Sequence, residues 1–172
     1  MKTRSIDLQY QCCSLAHHSD NLYITTHTSL HVYNISSGQG RQLYSDETGV
    51  CTVYRCAVSP DGSQVFITNY SHHQLITLNK DGTKLSTFTH PELQDPVAVH
   101  VTSLDHEFVS CLALNTVVQA VGMKDGTRTI KPLAGKKEKL AEPIALCFNS
   151  STDSLVVSLG QNDKIVELQL KH

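Results

Sequence analysis

VYRCAVSPDGSQVFITNYSHHQLITLNKDGT, Val53 to Thr83, holds the pattern that decides the fold. An apolar run, Tyr54–Ser59, meets the turn Pro60-Asp61-Gly62, and a second run, Gln64–Asn69, follows. A polar loop, Tyr70–His73, leads to a third run, Gln74–Leu78. Lys80-Asp81-Gly82 then turns the chain into a fourth, Thr83–Thr89. Each run is short, rich in Val, Ile, Leu and Thr, and bounded by turn formers, which is the signature of strands. Asp-Gly is a strong hairpin signal, because glycine accepts the positive φ that a twist-matched turn needs. The stretch predicts one four-stranded antiparallel meander.

The same order recurs along the chain. QVFITNYSHHQLITLN (Gln64–Asn79) resembles NLYITTHTSLHVYN (Asn21–Asn34), HEFVSCLALNTVVQAV (His106–Val121) and DSLVVSLGQNDKIVEL (Asp153–Leu168). With Thr25, Thr68, Ser110 and Ser158 taken as equivalent, the intervals are 43, 42 and 48 residues. Lys124-Asp125-Gly126 repeats the hairpin turn of Lys80-Asp81-Gly82. A repeat of this size, with four strands per unit, predicts an all-β propeller, since a lone blade cannot bury both of its faces. Four blades are expected, at about 10–49, 50–95, 96–141 and 142–172, in a partial six-bladed propeller or a small closed ring. Thr3–Gln9 is expected to be an outer strand, either left over from a preceding blade or closing the last one.

Composition narrows the function. The chain has 172 residues and a formal net charge of −2, which gives no global field for nucleic acid or an anionic membrane. No apolar run approaches the roughly 20 residues a membrane helix needs, and MKTRSIDLQYQCC lacks a signal peptide's apolar stretch. A cytoplasmic protein that does not engage membranes is expected. The six cysteines include no CxxC pair, so neither a zinc ribbon nor a disulfide scaffold is expected. Most sit in strand-like apolar runs, such as RCAV and ALCF, where a reduced Cys acts as a small hydrophobe.

Several stretches resemble the NHL repeat, in particular the C-terminal propeller of tripartite-motif (TRIM) proteins of invertebrate type. They are Leu15–His18 with Asp20–Thr25, the run Val53–Thr83, FTHPELQDPVAVHVT, and PIALCFNSSTDSLVV. The resemblance implies a binding propeller, non-catalytic in itself, that recruits a protein substrate to a ubiquitin ligase whose RING, B-box and coiled coil lie elsewhere. It also implies six blades, of which about two precede this chain. The sequence departs from the family around Cys111-Leu112 and Ser158–Gly160, where Gly and Trp are expected, so the loops of blades three and four carry over no ligand preference.

The residues themselves point to a binding face. Loops between the second and third strands, and between a blade's last strand and the next blade, share one end of each sheet. In blade two they offer Tyr70, His72, His73, His90, Glu92 and Gln94 as partner-binding candidates. Tyr is a common interface anchor, and rigid scaffolds concentrate binding residues in loops. Ser14, Ala57, His100 and Cys147 are the expected channel residues. They bring no carboxylates for calcium, so no metal, cofactor or small-molecule substrate is expected. Motifs such as GxSxG, GxGxxG and HExxH are absent. Two alternatives stand beside the protein-binding reading. One is an RNA-binding propeller, for which the only local basic cluster is Lys131, Lys136, Lys137 and Lys139. The other is a calcium-dependent lactonase or lyase.

Overall fold

Four antiparallel sheets stand around a common axis in a computed structural model that describes residues 3, 5–122, 127–160 and 163–170. The first sheet is β1 (Ser14–His18), β2 (Asn21–Thr25), β3 (Ser29–Asn34) and β4 (Gln39–Ser45); the second is β5 (Arg55–Val58), β6 (Gln64–Asn69), β7 (Gln74–Asn79) and β8 (Lys84–Thr89). The third is β9 (Pro96–Val101), β10 (Glu107–Cys111), β11 (Thr116–Gly122) and β12 (Arg128–Ala134). The fourth has three strands, β13 (Pro143–Asn149), β14 (Ser154–Leu159) and β15 (Ile165–Gln169). Strands pair in sequence order within every sheet, and β1, β5, β9 and β13 are innermost. A 3-10 turn at Lys136–Glu138 is the one helical piece among the described residues. The fold is the expected four-bladed all-β propeller. The Lys124-Asp125-Gly126 turn lies outside the described residues.

The turn chemistry is local. Between the first and second strands of the blades stand Ser19, Gly62, Asp105 and Asp153, with φ of 51°, 73°, 59° and 51°. Gly, Asp and Asn tolerate this left-handed region best. At Asp61-Gly62 the Asp61 carboxylate accepts the Ser59 hydroxyl at 2.6 Å, the Ser63 hydroxyl at 2.8 Å and the Ser63 N–H at 2.9 Å. Those three donors, led by Ser59, pull its carboxyl down to about 2. Gly82 is at φ 93°, and a Cβ there would lie 2.2 Å from the Leu43 carbonyl oxygen of the neighbouring blade. Only glycine fits.

Blade packing explains the burial pattern. Val65, Phe66, Ile67, Thr68 and Asn69 of β6 are all buried, because blade two is covered on both faces. Tyr23 and Leu30 meet Cys56, Val65, Ile67 and Ile76 in the first seam. Phe66 and Leu75 meet Val99, Val109 and Val118 in the second, and Phe108 and Val117 meet Leu155 and Val157 in the third. Among the described residues no buried apolar cluster joins blade four to blade one. On those two blades Leu15 and Ile165 are 57% and 72% exposed.

Polar ties reinforce the seams at repeated positions. The Thr25 hydroxyl donates to the Tyr54 carbonyl at 2.7 Å, and the Thr68 hydroxyl to the Val97 carbonyl at 3.0 Å. The threonine that aligns the sequence repeats is thus a latch from one blade to the next. Arg128 of β12 reaches back to blade two. Its Nη1 donates to the Thr77 hydroxyl at 3.1 Å, its Cζ lies 5.5 Å from the Phe88 ring centroid, and its Nη2 pairs with Glu107.

Two expectations are corrected. Residues 3 and 5–9 pair with no sheet, so Thr3–Gln9 does not close the last blade, and β15 has no partner on its outer edge among the described residues. Ile6 and Leu8 are half-buried between exposed neighbours, and Tyr10 stacks on His31 of blade one at 3.9 Å between ring centroids. That stack ties the segment to the first blade rather than to an outer edge. Of the six cysteines, all free, only Cys56 and Cys111 are buried. Burial pushes both thiols up to about 12. Cys12, ahead of β1, and Cys147, on β13, are exposed.

Candidate interaction face and central channel

The b–c loop of blade two and the connection into blade three meet at one end of the sheet. There His72, His73, Thr89, His90, Pro91 and Gln94 line a shallow depression of about 330 Å³. Four of the six candidate residues, His72, His73, His90 and Gln94, are therefore neighbours. Tyr70 and Glu92 stand outside its lining.

Hydrogen bonds divide the six by task. His73 has φ 55° and accepts the Asp95 N–H on Nδ1 at 3.1 Å. Asn115 of blade three has φ 53° and accepts the Glu142 N–H on Oδ1 at 2.6 Å. Asp95 and Glu142 each precede the proline that opens the next blade. His73 and Asn115 are thus the same device, a left-handed turn residue that ties one blade to the start of the next. Tyr70 is half-buried, with its ring 6.0 Å from that of Tyr54. Its phenol is raised first by burial and then by the Asp95 carboxylate. His90 accepts the Glu92 N–H on Nδ1 at 3.2 Å, a local turn bond. His72 is exposed, and its Nε2 lies 2.9 Å from the Thr48 hydroxyl, which donates to Asp46. The accessible chemistry of the face rests on His72, His90 and Gln94. Asp95 and Thr48 escape sequence reasoning, since both act across 22 to 24 residues of chain.

The inner strands of all four blades enclose a cavity of about 350 Å³ on the axis. Ser14, Ala57 and His100 line it as expected, but Cys147 does not. Ala145 and Leu146 take the fourth blade's place there, while Cys147 is exposed. Burial lowers the His100 pKa, which favours the neutral ring. The channel also holds Arg55, which sequence reasoning missed. Aligning the strands would have found it, because Arg55 pairs with Thr68 as Ser14 pairs with Thr25 and Ala145 with Ser158. No carboxylate lines this cavity. Among the described residues no group of three His, Cys, Asp or Glu side chains is placed to hold a metal ion. The basic cluster divides, with Lys131 on β12 and Lys136 and Lys137 in the 3-10 turn.

At the opposite end of the blades a cavity of about 670 Å³ separates blades one and two. His18, Asn34, Arg41, Asp61, Lys80 and Asp81 are among its lining residues. Positive and negative side chains alternate there, so it has no single-sign field.

No protein family and no curated protein sequence matches the chain. Solved structures do. A nidogen/laminin complex superposes with a TM-score of 0.76 at 16% identity, over 92% of this chain and 60% of that one. A catalytically inactive virginiamycin B lyase from Staphylococcus aureus with quinupristin gives 0.72 at 17% identity, over 92% and 52%. The computationally designed Ika4 protein gives 0.59 at 14% identity, over 99% and 100%. The likeness is one of fold, and the chain spans between half and three fifths of the length of the first two. No helix of the described residues is long and apolar enough to cross a membrane.

Proposed function

We propose that this propeller is a non-catalytic interaction module, of the NHL type, that binds a protein partner through the loop face of blade two. In this reading it serves as the recruiting end of a TRIM-type ubiquitin ligase. The observation that carries the proposal is the depression where His72, His90 and Gln94 converge from two loops. These loops are anchored from below by the His73–Asp95 tie and by the packing of Tyr70 on Tyr54. A rigid scaffold beneath accessible polar side chains lowers the entropic cost of binding. The axial cavity, where a calcium-dependent enzyme on this architecture would place its ligands, is lined by no carboxylate.

Photo-crosslinking tests the assignment. A benzophenone side chain placed at Gln94 is expected to capture a protein from an extract of the source cells. The same group at Asp81, on the opposite end, is expected to capture none. The double variant His72→Ala/His90→Ala should abolish the capture with an unchanged melting temperature. Capture from Asp81 alone, or undiminished capture by the double variant, would move the site off this face.

A further inference from the structure

The central channel carries one cation that its neighbours leave unanswered. At the loop-face end of the inner strands, the residues beside the repeated Thr/Ser column are Ser14, Arg55, Ala98 and Ala145. Three are small, so this level of the channel is open, and a guanidinium stands on one wall. Arg55 Nε is buried and has no hydrogen-bond partner, and no ion pair involves Arg55 among the described residues. Its Cζ sits 5.3 Å from the Tyr54 ring centroid, a cation–π contact that supplies no hydrogen-bond acceptor. A buried donor without a partner is costly, more so when charged, so it calls for an acceptor from outside the chain. The other ionisable groups lining the channel are His17, His100 and Cys56, and no acid faces them.

We propose that the axial channel binds a small oxyanion, held on the Arg55 guanidinium with Ser14 and His100 as further hydrogen-bonding groups. A guanidinium presents parallel N–H donors that match the two oxygens of a carboxylate or phosphate. The cavity of about 350 Å³ admits a metabolite of a few heavy atoms but not a folded partner. The site lies on the axis and shares no lining residue with the depression of His72, His90 and Gln94, so each is tested by its own variants.

The Arg55 Nε–H is itself the reporter. In a proton–nitrogen correlation spectrum, titration with inorganic phosphate and, separately, with succinate should shift that resonance saturably. The amides of Ser14, Ala98 and Ala145 should move with it. Saturation by one probe only identifies which oxyanion the site prefers. Arg55→Gln is expected to weaken binding about ten- to hundredfold, the loss expected for a hydrogen bond to a charged group. Lys80→Gln, in the cavity at the other end of the blades, should leave it unchanged. An Nε–H resonance unmoved by either probe overturns the proposal in the wild-type protein, whatever the variant's folding. So does an Arg55→Gln protein that binds as tightly as wild type.

Discussion

Removing the Arg128 side chain should cost this propeller more than any surface charge, and the structure fixes the scale. The pair with Glu107 is 17% and 14% exposed on its two side chains, so it belongs with buried ion pairs rather than with solvated ones. Arg128→Met keeps the bulk over Phe88 but strips Glu107 of its counter-charge and Thr77 of its donor. Breaking a buried pair from one side costs about 3–5 kcal/mol, and the residual exposure brings this to about 2–4 kcal/mol. With an unfolding entropy of about 2.1 cal/mol/K per residue, a 172-residue chain loses roughly 6–11 °C in melting temperature. Scanning calorimetry on wild type, Arg128→Met and Arg128→Met/Glu107→Leu checks it. The double variant should regain most of the loss, because the stranded carboxylate is gone. High salt should alter the single variant's loss little, since buried pairs are poorly screened. A loss below about 0.5 kcal/mol, or one erased by 1 M salt, would show an ordinary surface pair and refute the reasoning.

Thr68→Val should lower stability by about 1–3 kcal/mol in urea titrations, since the buried Val97 carbonyl loses its donor at nearly constant volume; Thr25→Val should behave alike. Gly82→Ala should cost about 2 kcal/mol or more through its positive φ and the Leu43 clash, whereas Gly122→Ala, with nothing within 4 Å of its Cβ, should be neutral or mildly stabilising by the same assay. The Asp61 carboxyl should titrate near 2 by NMR. Its folded value lies below the ordinary aspartate value of 3.8, so its contribution is present above that value and is lost as pH falls through about 2. Ser59→Ala should bring the midpoint back toward 3.8.

Blade two was legible almost residue for residue, because its information is local. Alternation and turn residues place β6 at Gln64–Asn69 without reference to any other part of the chain. The hydroxyl column at Thr25 and Thr68 was legible as a repeat but not as a latch, since its partners lie 29 residues on, in the next blade. Period-2 patterning tells which residues share a face; it does not tell which neighbour covers that face. The same gap hid Arg128, whose partner Thr77 is 51 residues away. Of the candidate site, loop membership was readable, and four of six residues share one depression. The separate task of His73 was not, because its role is set by the backbone N–H of Asp95 rather than by anything adjacent in sequence.

The three apolar seams run in series, so that blades two and three each share two of them and blades one and four only one. Nearest-neighbour coupling of this kind makes unfolding a progression from the ends rather than a single event. The calorimetric enthalpy should then exceed the van't Hoff value. Hydrogen exchange should be slowest in β6 and β10, buried from both sides, and fastest in β15, whose outer edge has no partner among the described residues. The loop face of blade two and Arg55 both sit on the most persistent unit of the chain, and they would keep their geometry while the fourth blade breathes.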